Sequence, residues 1–184
     1  MNFTLLKNKN FLFFIGARTA MVLTFQIVGT IAQWQVYAAT RDSLYIGFLA
    51  LTEVIPAILM NLVGGYAADT FSRKRMALIG SCFTTTSVFI LVSTSGSHHL
   101  ESIVPLFVAT FVNGLGRGIV APASTALLGD IVDRNFYARA AVFNSIAWQM
   151  SIISGPAMAG IVYEKFTPLL CYQIALALTC LSML

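Results

Sequence analysis

Six apolar runs, each about as long as a membrane-crossing helix, are separated only by short polar breaks, and this pattern constrains the chain more than any single residue does. A helix of about twenty apolar residues rises through the roughly 30 Å hydrocarbon core of a bilayer. The runs lie near 11–37, 44–68, 76–94, 103–128, 140–163 and 168–184. No period-two alternation competes with them, so the expected fold is an all-α membrane protein with six transmembrane helices.

With 58% apolar residues, 10% charged residues and a mean hydropathy of +0.82, a chain of 184 residues is too apolar for a soluble domain. The net charge of +4 does not point to nucleic acid, because the bases are dispersed among the inter-helix breaks rather than gathered on one face. The first run is far longer than a signal-peptide core and is not followed by a small-residue cleavage site, so it is expected to stay as a membrane helix. Cys82, Cys171 and Cys180 sit inside apolar runs without ligand spacing, which indicates neither a disulfide nor a metal site. There is no Ser/His/Asp, Cys/His or paired soluble carboxylate constellation, so no enzyme activity and no cofactor is expected.

Orientation follows from the bases. Lys7, Lys9, Arg73, Lys74, Arg75, Arg134 and Arg139 fall on one side of the six runs, and only Arg41 and Lys165 on the other. Seven against two places the N-terminus in the cytoplasm. The outer break around His98 and His99 is short and polar, as a turn between antiparallel helices should be; adjacent histidines without further ligands are more often solvated than functional.

The second run ends in Gly65, three residues, Asp69, three residues, then Arg73, Lys74 and Arg75. Gly65 and Asp69 share a helix face, and a glycine there lets a neighbouring backbone approach the carboxylate. Arg73 is expected to close onto Asp69 across the turn, while the other bases hold it at the anionic leaflet. The Gly-and-acid spacing recurs at the end of the fifth run as Gly160 and Glu164, an echo that three intervening helices would turn upside down.

Three ionisable residues fall inside the predicted helices: Arg18, Glu53 and Arg117. A charge at membrane depth is costly enough to be a functional candidate. Counted at 1.5 Å per residue, Glu53 lies roughly 14 Å and Arg117 roughly 21 Å below the outer surface, with Arg18 about 10 Å above the inner one. Desolvation disfavours the charged form of a carboxylic acid at that depth and a nearby arginine favours it, so its protonation can respond to water or substrate. A buried tie between Glu53 and either arginine is the structural alternative, and Arg117 is equally placed to attract an anion. Gln26, Thr30 and Gln33 share one face of the first helix, and Asn144, Trp148 and Ser151 one face of the fifth. Such faces line a wet cavity or form hydrogen bonds between helices. Pro56, Pro122 and Pro156 each interrupt an apolar run where a helix must kink, and Gly114, Gly116 and Gly118 fit close helix packing better than a phosphate loop.

The turn between the second and third runs resembles the loop between helices 2 and 3 of the major facilitator superfamily, with Gly65, Asp69, Arg73 and Lys74 on the motif positions and Ser72 where a glycine is usual. Trp34-Gln35-Val36-Tyr37, Glu53-Val54-Ile55-Pro56, Arg117 ahead of Pro122-Ala123, and Asn144-Ser145 before Trp148-Gln149 look like the enterobactin-exporter-like branch. Gly155, Pro156 and Gly160 are similar to the helix 5 signature of drug:proton antiporters, with Ala159 in place of a glycine. The resemblance implies half of a twelve-helix fold, built as an inverted 3+3 repeat and completed by a C-terminal half or a second half-transporter. It implies alternating access in a bacterial inner membrane, efflux of a drug- or siderophore-like small molecule in exchange for protons, and Asp69 and Arg73 latching against the other half. Contact with membrane lipids follows; nucleic acid is not an expected partner. The last run stops at Leu184 without a polar tail, which reads as the first half of such a transporter. The competing expectation, from another class, is a non-transporting membrane protein that scaffolds or regulates a partner through its inner face.

Overall fold

Each apolar run becomes a helix, and the first, second, third and fifth helices extend past their runs into polar residues at both ends. The structure is a computed structural model describing residues 9–70, 72–95 and 103–183, with the side chains of 66–70 outside the described part. Its helices are α1 (Lys9–Thr40), α2 (Ser43–Thr70), α3 (Arg73–Ser95), α4 (Val104–Ile131), α5 (Tyr137–Lys165) and α6 (Pro168–Ser182), with a 3-10 turn at Arg134–Phe136. Five helical stretches are long and apolar enough to cross a membrane; α6, at 15 residues, is shorter. No strand occurs among the described residues.

The helix ends follow local chemistry. Arg41 adopts a left-handed conformation at φ 56°, and its N–H reaches the Tyr37 carbonyl at 2.8 Å, closing α1. One residue on, Asp42 Oδ1 accepts the Leu44 N–H at 2.9 Å and caps α2. Thr167 is extended (φ −109°, ψ 155°), as the residue before a proline must be, and Pro168 then opens α6 with the fixed φ that a first helical turn needs. Pro56, Pro122 and Pro156 lie inside α2, α4 and α5, each of which remains one helix through its proline.

Packing is uneven in an informative way. α4 lies along α2 and α3, α1 lies along α5 and α6, and α3 touches α6. Half of the spanning window of α1 and of α4 is buried, against 17% for α2 and α5, so α1 and α4 are the inner helices. Lipid tails are as apolar as leucine, so close backbone approach must do much of what the hydrophobic effect does in water. Gly114, Gly116 and Gly118 supply it. A Cβ at Gly114 would overlap the Glu53 carbonyl, and one at Gly118 the Ala57 carbonyl, both on α2. A Cβ at Gly116 would come within 2.6 Å of Thr84 Oγ1 on α3. The glycines thus seat α4 between two neighbours.

An apolar core around Ile31, Leu91 and Tyr172 fills one end of the bundle, and a smaller one around Phe11, Leu128 and Ala140 fills the other. Within the first, the Tyr172 hydroxyl donates to Gln35 Oε1 at 2.5 Å, tying α6 to α1. Cys171 is buried while Cys82 and Cys180 are exposed, all three as free thiols.

Candidate functional site

The glycine seat of α4 brings two of the three intramembrane charges together. Gly114 presses against the carbonyl of Glu53 and the ring of Pro56, and Arg117 follows one turn later on α4. Arg117 Nη1 donates to Glu53 Oε1 at 2.9 Å. The Glu53 side chain is 12% exposed and that of Arg117 39% exposed, so the acid is the deeper partner and the base faces open space. The carboxylate also lies near Gly29 of α1, where a Cβ would stand 3.9 Å from Oε2. Glu53 therefore sits where α1, α2 and α4 meet.

Arg18 takes no part in that pair. Its guanidinium lies 5.3 Å from the ring centre of Trp148 on α5, while that of Arg117 lies 6.0 Å from the ring centre of Phe25. Both arginines and both rings line one crevice between α1, α4 and α5. Arg18, Met21 and Val120 separate it from a second crevice of about 80 Å³ nearer the other end of α1.

The amide faces divide. Gln26 Nε2 donates to the Ile152 carbonyl at 3.4 Å, and its Cβ lies where a side chain on Gly155 would have to go, so Gln26 and Gly155 form a contact between α1 and α5. Gln33 is half-buried. Asn144 Oδ1 is buried without a hydrogen-bond partner. Gly160 lies near Trp34, whose ring meets Tyr163 edge-on at 5.1 Å. Pro156 follows Gly155 within α5.

Past the end of α2, the first base of the expected latch meets an acid from α4. Arg73 bonds to the Asp130 carboxylate of α4 and to the Ala126 carbonyl at 3.1 Å. The Asp69 side chain lies outside the described residues, as do His98 and His99. A Cβ on Gly65 would meet nothing within 4 Å, and the neighbour that presses on α4 is Gly64, 3.4 Å from the Gly118 carbonyl. One residue turns a helix by about 100°, so the two glycines present different faces. Lys74 is exposed.

Three residues escaped sequence reasoning. Asp130 lies just past the C-terminal end of the fourth apolar run, where an acid looks like loop. Gln35 and Asn113 are isolated amides without a polar face around them. Asn113 is fully buried with both side-chain polar atoms unpartnered; sitting one turn before Arg117 was the one signal that could have singled it out. Among the described residues no cluster of histidine, cysteine and carboxylate side chains is suited to a metal.

The family described as transmembrane secretion effector matches residues 3–184. The chain is similar to a Na(+), Li(+), K(+)/H(+) antiporter of Planococcus maritimus, 26% identical over 75% of this chain and 31% of the antiporter. It is also similar to the staphyloferrin A transporter of Staphylococcus aureus, at 25% identity over 79% of this chain and 38% of that protein. Multidrug resistance protein 1 of Bacillus subtilis is 24% identical over 65% of this chain and 29% of its own length. The chain thus spans about a third of the curated relatives it matches. Its fold is similar to the crystal structure of an auto-inhibited POT family peptide transporter, with a TM-score of 0.78, 17% identity, and coverage of 95% of this chain and 36% of the other.

Proposed function

Since the chain belongs to the transmembrane secretion effector family of the major facilitator superfamily, we propose that it is the N-terminal half of a twelve-helix exporter. In this reading it moves a small organic solute outward by alternating access coupled to the proton gradient. The observation that carries the reading is the Glu53–Arg117 ion pair, held at membrane depth by the Gly114 contact and bordered by an aromatic crevice.

The proton step is assigned to Glu53. A proton arriving on its carboxylate makes a neutral acid, removes the attraction that holds Arg117, and alters the charge that α4 shows to the crevice. Loss of that proton to the other side restores the pair. Arg18, Gln33 and Asn144 complete the polar lining, and Gly155, Pro156 and Gly160 are the bending points of α5. Asp69, Arg73 and Lys74 form the latch at the inner face, with Asp130 holding Arg73 in place.

An inverted 3+3 repeat is supported by the packing, which maps onto itself when α1, α2 and α3 exchange with α4, α5 and α6. The α1–α5 contact answers α4–α2, α1–α6 answers α4–α3, and α3–α6 is its own counterpart. The shallow burial of both α2 and α5 follows the same exchange, and their outward apolar residues, such as Leu62 and Ile153, are covered by lipid and a second half. The base distribution supports an N-terminus in the cytoplasm, and the bacterial relatives support a bacterial cytoplasmic membrane. Relatives named for cation/proton antiport, staphyloferrin A and multidrug resistance support transport as the class.

Liposomes holding the purified chain, under an imposed proton gradient, test the half-transporter reading. The chain alone should move no dye, and the chain joined to a C-terminal half should. A stable monomer that transports unaided would sink it.

A further inference from the structure

Arg18 carries a charge that no carboxylate answers among the described residues. It lies in the membrane-spanning part of α1, and its Nε is buried without a hydrogen-bond partner. The Trp148 ring offers its face to the cation. A ring face is no substitute for an oxygen or anion acceptor in the guanidinium plane, so the buried Nε–H remains unmet.

The second crevice supplies the other half of the argument. It is bounded by α1, α3, α4 and α6, and lined by Arg18, Phe14, Ser81, Ser124, Leu127 and Ser182 among others. The hydroxyls of Ser81 and Ser182 donate to their own helices, to the Ala77 carbonyl at 2.9 Å and the Thr179 carbonyl at 2.7 Å. Ser124 makes no such bond, so its O–H is a free donor on the same crevice as Arg18. Among the described residues no acidic side chain lines the space. At about 80 Å³ it exceeds the about 10–15 Å³ that one water requires, yet it is too small for a drug-sized solute.

We infer that this crevice binds a small inorganic anion of the size and charge of chloride, held by the Arg18 guanidinium and the Ser124 hydroxyl. A halide accepts from both donors and cancels the charge that α1 brings into the membrane. The inference stands on geometry alone and does not require the exporter reading. It does bear on it: Arg18 also borders the crevice lined by Arg117, so a resident anion lowers the positive potential there.

Thermal unfolding of the purified chain in lipid nanodiscs, followed by tryptophan fluorescence, tests the site. Sodium chloride and sodium bromide are compared with sodium gluconate at matched ionic strength, gluconate being too large for the crevice. Chloride and bromide should raise Tm along a saturating curve and gluconate should not. Arg18→Gln should abolish the difference, Arg18→Lys should keep part of it, and Ser124→Ala should raise the half-saturating chloride concentration about tenfold. Equal effects of chloride and gluconate on the unaltered chain, which needs no variant to fold, would reduce the effect to screening and overturn the site. So would chloride stabilisation that survives Arg18→Gln. Because no transport is measured, failure here leaves the exporter reading as it stands.

Discussion

Arg73, in the first turn of α3, donates to the carboxylate of Asp130, in the last turn of α4, so this charged contact joins two helices. Both side chains are substantially exposed, at 38% and 53%, and an ion pair of that kind contributes only about 0–1 kcal/mol to stability. Its value lies in where it holds the Arg73 guanidinium.

Asp130→Asn should therefore leave expression and thermal stability close to those of the unaltered protein, while lowering efflux several-fold in a twelve-helix transporter carrying this half. Asp69→Asn should lower efflux at least as much, again without preventing insertion. Efflux and membrane content have to be measured on the same cells. Normal efflux by well-inserted variants would demote both acids to bystanders.

Removing one member of the intramembrane pair should cost more than removing both. Glu53→Gln leaves Arg117 without a counter-charge; since Arg117 keeps 39% exposure, the expected cost is about 1–3 kcal/mol, below the about 3–5 kcal/mol of a fully buried pair. The double variant Glu53→Gln, Arg117→Gln should recover part of that loss in a denaturation cycle. Additive effects would show that the two side chains do not depend on each other.

The glycines of α4 predict a contrast with Gly65. Gly114→Val drives a side chain into the Glu53 carbonyl and should destabilise the bundle by about 1–3 kcal/mol or block folding. Gly65→Ala meets open space and should change the half's stability by less than about 0.5 kcal/mol. Melting temperatures of the two purified variants decide the matter, and similar losses would contradict the assigned packing.

Orientation is accessible to labelling. After replacement of Cys82, Cys171 and Cys180, a cysteine at Ser97 should react with an impermeant reagent added outside cells, and one at Ser72 only after permeabilisation. The reverse pattern would invert the topology.

The helical, membrane-spanning character was legible because apolar run length is a one-dimensional signal that bilayer thickness fixes directly. The close-packing role of Gly114, Gly116 and Gly118 was readable from their spacing, which places small residues on adjacent faces of one helix. Which charges pair was not readable. Glu53 and Arg117 stood out separately by depth, but their contact depends on how far α4 slides along α2, which the Gly114–Glu53 approach sets. Asp130 was hidden because a residue at a helix end carries no depth signal. The unanswered charge of Arg18 became visible only once the neighbours of its guanidinium were known.

The central claim is that Glu53 carries the coupled proton. Inverted membrane vesicles containing a twelve-helix transporter with this half, acidified inside by respiration and reporting their pH gradient through a quenched acridine dye, test it most directly. Adding transported solute should partly dissipate the gradient and restore fluorescence, and Glu53→Gln, at equal membrane content, should abolish that response. A full fluorescence response from the Glu53→Gln vesicles would contradict the account.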